Sequence, residues 1–397
     1  MKFLVILGDG MADYPSDIFN GRTALEYART PNFDRLAQQG ELGLVQTIPS
    51  GMPPGSDTAN LSVIGYDPQK YYTGRSPFEA ASMGLNLKDT DVSFRCNLVT
   101  LSDDEPYNAK TMIDYSAGEI ESAEAAELIK ALREDLDTEA IKFHAGFRYR
   151  HIMVRSGDSD QWQLTPPHDI SGRVIGPYLP QGGEKDLLLS LMDKSYQILK
   201  SHPVNLQRIE KGLKPANSIW IWGNGRKPRL PLFKEKYGLS GAVISAVDLI
   251  KGIGLIAGMD SINVEGATGD IDTNYEGKAA AALDAFERGL DFVYLHIEAP
   301  DECSHRFEAE KKVKAIEMID QKVAGPLLKA LEKSDHKFSI LLLPDHATPL
   351  SLGTHTSDPI PYAIYRSNEK KKDPQSVYSE REARAKGIFI ENGPALM

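Results

Sequence analysis

Residues 338–346 read Phe-Ser-Ile-Leu-Leu-Leu-Pro-Asp-His, and this stretch decides which fold the sequence predicts. Its first part is almost entirely apolar, which is typical of a strand buried within a sheet. In open α/β sheets, ligands bind beyond the carboxyl ends of the strands, which is where Asp345 and His346 stand. A carboxylate and an imidazole are both good ligands for a divalent metal ion. The pair alone is equally consistent with a structural contact, so the prediction depends on what the other strands carry.

Two further strands end in the same way. Residues 292–298 form a second apolar run that leads to Asp301 and, four residues later, to His305. If a helix begins there, positions i and i+4 share one face, and both side chains can reach one ion. Residues 2–7 form a third run, which ends in Gly-Asp-Gly at positions 8–10, where the glycines allow a ligand to approach the backbone closely.

These strand ends, with one histidine nine residues beyond His346, predict a metal centre. Its predicted ligands are carboxylates and imidazoles without any thiolate: Asp9, Asp301, His305, Asp345, His346 and His355. Such a set suits zinc or manganese, whereas magnesium is a poorer match to imidazole.

A nucleophile is predicted at Ser56. The preceding Pro-Pro-Gly at positions 53–55 indicates a tight turn, and a helical stretch follows over residues 58–64. A serine at a helix N-terminus meets unpaired N–H groups and the positive end of the helix dipole, which favour a phosphoryl group. The alternative is that Ser56 or Asp57 simply caps this helix. Close to two divalent ions, however, a hydroxyl is activated as a nucleophile because metal coordination lowers its pKa.

The charges of such a centre balance. Asp9, Asp301, Asp345 and an ionised Ser56 contribute four negative charges, against four positive charges from two divalent ions. An anionic substrate would therefore need additional arginine or lysine side chains to hold it.

Five segments of the chain resemble one known family. They are residues 7–13, 54–68, 72–77, 241–249 and 355–359. In their order and in the ligands that they carry, they resemble the cofactor-independent phosphoglycerate mutases of the alkaline-phosphatase superfamily. The resemblance is closest to the archaeal-type branch, which also occurs in bacteria, and it spans nearly the whole chain.

The resemblance implies that Ser56 is transiently phosphorylated while 3- and 2-phosphoglycerate are interconverted without 2,3-bisphosphoglycerate. It also implies two divalent ions, with manganese favoured and zinc, magnesium or cobalt as alternatives. One ion would be bound by Asp9, Ser56, Asp345 and His346, and the other by Asp301, His305 and His355. The expected partner is a small phosphorylated acid.

Contacts to the substrate are predicted beside the nucleophile and in the segment that the mutases insert into their catalytic domain. This inserted segment is shorter in the present chain. Residues 146–155 resemble the arginine-containing strand of that inserted segment. The predicted contacts are polar or charged side chains: Asn60, Arg148, His151 and Arg155, with His168, Asp169 and Arg173 as further candidates. The alternative for the charged residues is solvation at the edge of a strand.

Other functions are compatible with parts of this pattern. Bacterial members of the branch have been proposed to be homoserine kinases, but the chain has no Gly-x-x-x-x-Gly-Lys-Ser/Thr phosphate loop. A metal-dependent phosphatase or phosphodiesterase would share every ligand and would differ by letting water reach the phosphoserine. The Cys/Ser-x-Pro-x-Arg signature of a sulfatase is absent around Ser56. A non-catalytic binding protein would be expected to have lost one or more ligands.

The composition restricts the partners and the location. A formal net charge of -11 over 397 residues disfavours nucleic acid and anionic membranes as partners. Two cysteines are too few for a disulfide scaffold and suit a reducing compartment. The chain begins directly with a strand, and no apolar run approaches the length of a membrane span, so we expect a cytoplasmic enzyme. The oligomeric state is not predicted.

Alternating strand and helix patterns predict an α/β fold of the alkaline-phosphatase type, with a mostly parallel sheet and helices on both faces. Because Asp9 and Ser56 lie early and the other ligands lie after residue 300, the catalytic domain must be discontinuous. We expect it to comprise residues 1–87 and 216–397. Residues 88–215 would form a smaller inserted α+β cap domain that binds substrate and excludes water. The longer helices are predicted over 117–132, 184–200, 246–257, 274–288 and 308–332.

Overall fold

The structure is a computed structural model, and it describes residues 1–103, 105–157, 161–369 and 373–397. The chain divides into two compact units. The first comprises Met1–Tyr72 and Arg229–Met397, and the second comprises Thr73–Pro228. Every predicted metal ligand, together with Ser56, belongs to the first unit.

The strands are, in chain order, β1 (Lys2–Gly8), β2 (Glu41–Val45), β3 (Asp91–Leu101), β4 (Met112–Asp114), β5 (Ile141–Phe147), β6 (Arg150–Ser156), β7 (Trp162–Gln163), β8 (Gln181–Gly182), β9 (Ser218–Arg226), β10 (Gly241–Ile244), β11 (Asp260–Ile262), β12 (Phe292–Ile297), β13 (Phe338–Leu343), β14 (Ile360–Arg366) and β15 (Phe389–Ile390). The α-helices are α1 (Ala24–Tyr27), α2 (Pro31–Gln39), α3 (Ser56–Val63), α4 (Pro68–Tyr71), α5 (Ser76–Ser82), α6 (Ser122–Leu136), α7 (Lys185–Leu199), α8 (Pro203–Glu210), α9 (Phe233–Tyr237), α10 (Asp248–Ile256), α11 (Tyr275–Glu287), α12 (Ala299–His305), α13 (Ala309–Ile319), α14 (Gly325–Lys333) and α15 (Glu380–Ala385). Short 3-10 helices lie at Asp17–Phe19, Tyr107–Ala109, Pro167–Ile170, Gly176–Tyr178 and Gly393–Leu396, and a π-helical turn covers Asp320–Ala324.

The first unit is built on an eight-stranded sheet with the order β11-β10-β12-β1-β13-β14-β2-β15. Its neighbouring strands are parallel except where β14 pairs with β13 and β2, so the predicted mostly parallel sheet is confirmed. The central strand β1 lies between β12 and β13, and its Leu7 is paired with His296 on one side and Leu343 on the other. Since these three strands run in the same direction and end in register, the residues that follow them meet at one edge of the sheet.

Both faces of this sheet are buried. Leu4 and Ile6 of β1 lie in a core that includes Phe33 of α2 and Leu327 of α14. The alternating residues of β1, such as Leu7, point to the opposite face and are buried as well. Complete burial of one such side chain contributes about 1.5–3 kcal/mol, so the central strands are a rigid base for the loops that follow them.

The second unit has the predicted α+β character. Strands β4-β3-β6-β5 form an antiparallel sheet, β9 extends it by pairing with β3, and β7 pairs with β8. The core of this unit includes Phe94 and Trp220 from the sheet, with Leu128 of α6 and Leu188 of α7.

The unit boundaries differ from the expected boundaries at 87/88 and 215/216. Residues 73–87 and 216–228 belong to the second unit. Helix α5 is bound to β3 by a hydrogen bond from the Ser76 hydroxyl to the Ser93 carbonyl oxygen (2.8 Å), and β9 pairs with β3 almost along its whole length. These are long-range contacts, which the periodicity of a sequence does not reveal.

The predicted helix over residues 308–332 is interrupted. Helix α13 ends at Ile319, the π-helical turn follows, and α14 continues from Gly325. Asp320 opens this turn, and its carboxylate accepts hydrogen bonds from the backbone N–H groups of Asn32 (2.9 Å) and Phe33 (2.8 Å) at the start of α2. The turn therefore supplies a carboxylate that pairs with unpaired N–H groups at the N-terminus of another helix.

The other long helices agree with prediction within a few residues, except at the start of α6. That helix begins at Ser122 rather than at residue 117. Ala117, Gly118 and Glu119 have φ angles of 50°, 66° and 53°, which a right-handed helix does not allow. Within the described ranges, no helix has both the length and the apolar character needed to cross a membrane.

Candidate metal centre

Three segments that follow strands β1, β12 and β13, at one edge of the first unit's sheet, carry predicted ligands. Asp9 follows β1, and Asp345 and His346 follow β13. Asp301 lies in the first turn of α12, directly beyond β12, and His305 is the last residue of that helix. The two side chains therefore lie one helical turn apart, as their spacing predicted.

The loop after β13 is joined to its neighbours by backbone hydrogen bonds. The Thr348 N–H donates to the Ala12 carbonyl oxygen (3.1 Å), and the Thr356 N–H donates to the Ala347 carbonyl oxygen (2.9 Å). The second bond returns the chain so that His355 lies beside His346, with ring centroids 4.1 Å apart.

One cluster of possible ligands forms around Asp9. Single ligand atoms of Asp9, Asp345 and His346 all lie within 4.8 Å of one another, close enough to hold one ion. The Ser56 hydroxyl oxygen lies 3.1 Å from His346 Nε2. The predicted nucleophile thus lies beside the side chains with which it is predicted to share one ion.

A second cluster adjoins the first. Ligand atoms of Asp301, His346 and His355 also lie within 4.8 Å of one another. His305 Nε2 lies 3.0 Å from Asp301 Oδ2 and 3.0 Å from His355 Nε2. All seven predicted side chains are therefore gathered at one place, and His346 is within reach of both clusters.

The donor set fits divalent cations. Asp9, Asp301 and Asp345 are buried, with at most 5% of each residue exposed. Burial, together with the negative charges of Asp345 and Asp301, raises the pKa of Asp9 well above its usual range. Among the described residues, the buried Oδ1 of Asp9 has no hydrogen-bond partner. Buried carboxylates that repel one another and an unpartnered buried oxygen are costly unless cations compensate them.

We expect ion binding to the second cluster to strengthen as the pH rises. Burial opposes a charge on His305, but the hydrogen bond to Asp301 and the charge of that carboxylate outweigh it and raise the pKa of the imidazole to about 9. The metal-free imidazole is then protonated at neutral pH, and a metal ion must displace that proton. The association constant for Mn²⁺ at this cluster should therefore increase about tenfold per pH unit between about pH 6.5 and about pH 8.5.

Calorimetric titration in buffers of different ionisation enthalpy measures this effect directly. It should detect about one proton released from this cluster per ion bound. His305→Asn should bind more weakly and lose this proton release. An affinity for Mn²⁺ that does not change with pH in the wild-type protein would contradict the prediction.

The start of α3 supports a chemical rather than a capping role for Ser56. The N-cap position is occupied by Gly55, and the Ser56 hydroxyl lies against His346. Asp57 is engaged elsewhere, since its Oδ1 accepts from the Thr58 N–H (2.9 Å) and its Oδ2 from the Tyr72 hydroxyl (2.5 Å). Between Ser56 and Asp57, it is thus the Asp57 side chain that is bonded to the backbone of the helix.

Asn60 does not have the geometry of the predicted substrate contact. It is fully buried, and its amide group donates to the Ser56 carbonyl oxygen (2.7 Å) and to Asp345 Oδ2 (2.8 Å). Its own carbonyl oxygen accepts a hydrogen bond from the Tyr294 hydroxyl (2.5 Å). Because both donors and the acceptor are engaged inside the protein, Asn60 orients the backbone of the predicted nucleophile and the carboxylate of Asp345.

His296 is a site residue that the sequence reasoning missed. Its Nε2 lies 2.9 Å from Asp9 Oδ2, and its Nδ1 lies 3.1 Å from the Ser245 hydroxyl. Burial lowers the pKa of this imidazole to about 3, so it is a neutral partner of Asp9. The only signal in the sequence is one histidine inside an otherwise apolar strand, a pattern more typical of a packed core residue.

The remaining predicted substrate contacts belong to the second unit. His151 is buried, accepts a hydrogen bond from the Gly146 N–H at its Nδ1 (3.0 Å), and has its pKa lowered by burial to about 3, so it is uncharged. Arg155 is paired with Glu184, and Arg148 lies 3.5 Å from Glu119.

The three further candidates lie in and beside a short 3-10 helix of this unit. The His168 ring packs edge-on against Tyr115 and Trp222. Asp169 lies 3.6 Å from His168, and Arg173 donates to the Tyr178 hydroxyl (3.2 Å). Nothing in these contacts tests substrate binding, so all six assignments in the second unit stay predictions.

An arginine cluster in the second unit was also missed. Arg75 Nε and Arg95 Nε lie 2.9 Å and 2.8 Å from the Glu79 carboxylate, and Arg150 is close enough to act on the same carboxylate electrostatically. Burial and the neighbouring guanidinium groups lower the pKa of Arg95 to about 10, even though Glu79 opposes this shift. Guanidinium groups are the side chains that most often bind carboxylates and phosphates, so this cluster has the chemistry to contact a small anion.

Comparisons with known proteins agree with one another. A family model described as 2,3-bisphosphoglycerate-independent phosphoglycerate mutase matches residues 37–205. The chain is 51% identical over 385 residues to the 2,3-bisphosphoglycerate-independent phosphoglycerate mutase of Methanosarcina acetivorans, with 97% of this chain and 95% of that protein covered.

Two solved structures extend the likeness to the fold. A protein from Pyrococcus horikoshii is similar with a TM-score of 0.81 and 31% identity, over 100% of this chain and 95% of that chain. The cofactor-independent phosphoglycerate mutase from Thermoplasma acidophilum is similar with a TM-score of 0.62 and 26% identity, over 100% of this chain and 99% of that chain.

Proposed function

Because the chain belongs to the family of 2,3-bisphosphoglycerate-independent phosphoglycerate mutases, we propose that it interconverts 3- and 2-phosphoglycerate through a phosphorylated Ser56. The family resemblance read from the sequence is thereby confirmed. The observation that carries the proposed mechanism is the gathering of carboxylates and imidazoles around the Ser56 hydroxyl. Phosphoryl transfer depends mainly on positioning and charge neutralisation, and this arrangement supports both.

The proposed reaction has two transfers. In the first, the Ser56 oxygen forms a bond to phosphorus, the bond between phosphorus and the C3 oxygen breaks, and that oxygen gains the proton that Ser56 loses. The glycerate then reorients. In the second, the C2 hydroxyl attacks the phosphoserine, and its proton returns to the Ser56 oxygen. Atoms and charges balance over the cycle, so no second phosphate donor is required.

The residues that would hold two ions are those of the two clusters. Asp9, Ser56, Asp345 and His346 would bind one, and Asp301, His305 and His355 the other. When bound, such ions lower the pKa of a coordinated hydroxyl and neutralise the charge of the phosphoryl group. We propose manganese, because three imidazoles and three carboxylates suit it better than magnesium. Zinc and cobalt are the other metals to compare with it.

Two further observations support the substrate class and the location. The guanidinium groups of Arg75 and Arg95 are clustered at Glu79 in the second unit, and such groups suit a substrate that carries a carboxylate and a phosphate. We therefore propose that this unit binds the acid. Cys96 and Cys303 are both unpaired and buried, which suits the reducing conditions of the cytoplasm, where we propose that the enzyme acts.

A coupled assay tests the function. Purified protein with Mn²⁺ and 3-phosphoglycerate, but without 2,3-bisphosphoglycerate, should supply 2-phosphoglycerate to enolase. A chelator should abolish the activity, and added Mn²⁺, Zn²⁺, Co²⁺ or Mg²⁺ should restore it to degrees that identify the preferred metal.

The relatives do not favour the kinase or phosphatase alternatives, and the same preparation discriminates them. Formation of O-phosphohomoserine from homoserine and ATP, without any 2-phosphoglycerate, would contradict the mutase proposal. Release of free phosphate as the main product would indicate that water reaches the phosphoserine.

A further inference from the structure

The hydroxyl of Thr348 lies between a ligand from each metal cluster. Thr348 Oγ1 donates a hydrogen bond to Asp301 Oδ1 (2.5 Å) and lies 3.1 Å from His346 Nδ1. The residue is fully buried, so water does not replace these contacts. Asp301 presents its other oxygen, Oδ2, to His305 and His355, and His346 presents its Nε2 to Asp9 and Asp345.

The positions of the protons on His346 and Thr348 determine the direction of these two hydrogen bonds. An imidazole that binds a cation through Nε2 must carry its proton on Nδ1, and that proton needs an acceptor. The Thr348 oxygen is the acceptor next to His346 Nδ1. The hydroxyl proton of Thr348 is then directed to Asp301 Oδ1, which leaves Oδ2 of that carboxylate free for a cation. A side chain that only accepts or only donates could not serve both neighbours.

The backbone of Thr348 is held in place by Lys312 of α13. The Lys312 ammonium group donates to the Thr348 carbonyl oxygen (2.9 Å), to Asp13 Oδ2 (2.9 Å) and to the Ala12 carbonyl oxygen (3.4 Å). Three donors meet three acceptors, and the group is fully buried. The backbone of Thr348 is thereby tied to the loop that carries Asp9.

We propose that Thr348 is a positioning residue that orients one ligand of each metal cluster, fixing the tautomer of His346 and the rotation of Asp301. The inference rests on the proposed assignment of those two residues as metal ligands. Loss of the hydroxyl should therefore weaken the binding of both ions. Loss of a side chain that contacts only one cluster should weaken the binding of one ion. Outer hydrogen-bond partners of metal ligands typically change affinity by about 10–100-fold.

Calorimetric titration of the metal-free full-length protein with Mn²⁺ tests this inference without relying on catalysis. The wild-type protein should bind two ions. Thr348→Val, which preserves the shape and removes the hydroxyl, should weaken both binding constants by about 10–100-fold. Thr348→Ser, which restores a hydroxyl, should return both constants to within about threefold of wild type, allowing for its extra rotameric freedom.

Thr100→Val is the matched control. Thr100 is a buried threonine of the second unit whose hydroxyl donates one hydrogen bond, to the Pro215 carbonyl oxygen (2.7 Å). This variant should lose thermal stability while keeping both Mn²⁺ constants. If Thr348→Val does not fold, Thr348→Ala provides the same comparison with Thr348→Ser.

The inference would be overturned if Thr348→Val bound two ions with unchanged affinity, or if the affinity for only one ion fell. Either result would leave the proposed metal centre intact. Failure of the wild-type protein to bind any Mn²⁺ would overturn both.

Discussion

Ser56→Ala is expected to abolish mutase activity, with a loss of at least about 10⁴-fold, while most of the metal is retained. The variant removes the oxygen that we propose to carry the phosphoryl group, and no later step proceeds without it. Asp9, Asp345 and His346 remain to bind the ion that Ser56 would share, and the second cluster keeps all its ligands. Coupled assays and metal analysis of the same dialysed samples measure the two effects separately.

The matched control for this variant is Ser62→Ala in the same helix. Ser62 is fully buried, and its hydroxyl has no hydrogen-bond partner among the described residues. Its removal should leave activity within about twofold of wild type, because a buried hydroxyl that makes no hydrogen bond contributes little to stability.

Mass spectrometry tests the phosphoserine directly, since quenched wild-type enzyme should carry phosphate on the peptide that contains Ser56. Activity of Ser56→Ala above about one per cent of wild type would exclude the covalent route.

Lys312→Met is expected to destabilise the first unit by about 3–5 kcal/mol. Lys312 and Asp13 form an ion pair of 2.9 Å in which neither side chain is more than 2% exposed. Removing the ammonium group leaves the Asp13 carboxylate buried without its counter-charge, and it also frees the Thr348 and Ala12 carbonyl oxygens. The free energy of unfolding in urea, followed by circular dichroism, measures the effect. Tryptophan fluorescence does not report on this unit, because Trp162, Trp220 and Trp222 all lie in the second.

Lys314→Met provides the control for this substitution within the same helix. The Lys314 side chain is 56% exposed and lies 4.0 Å from Glu317, so its loss should cost less than about 0.5 kcal/mol. Both variants lose one positive charge from the same helix, and they differ in whether the lysine that is replaced is buried or exposed. If Lys312→Met were as stable as Lys314→Met, the loops that carry Asp9 and Thr348 would not depend on this buried ion pair.

The sequence could predict that these carboxylates and imidazoles come together because most of them stand at the end of an element with a strong local pattern. The runs that form β1, β12 and β13 are mostly apolar, and their ends indicate where the chain leaves the sheet. The spacing of four residues between Asp301 and His305 likewise predicted that both side chains lie on one face of a helix, one turn apart. Burial of a strand is a property of a few consecutive residues, so it can be read without knowing the partners.

The residues that contact the predicted ligands could not be predicted in this way. Asn60 contacts Asp345 across 285 positions of sequence, and His296 contacts Asp9 across 287. In sequence, an asparagine in a helix and a histidine in a strand have no pattern that names a partner. The arginine cluster around Glu79 has the same character, since Arg75, Arg95 and Arg150 come from α5's start and from two different strands.

The mostly parallel α/β sheet could be predicted from the sequence alone, because apolar periodicity and strand ends follow from local backbone geometry. The family could be predicted as well, because the motifs that characterise it are short and contiguous. The tertiary structure alone decided where the two units divide, that Asn60 faces inward, and that one threonine hydroxyl bridges Asp301 and His346. Hydrogen bonds are short and directional, so which buried groups pair is settled only when distant segments have been packed together.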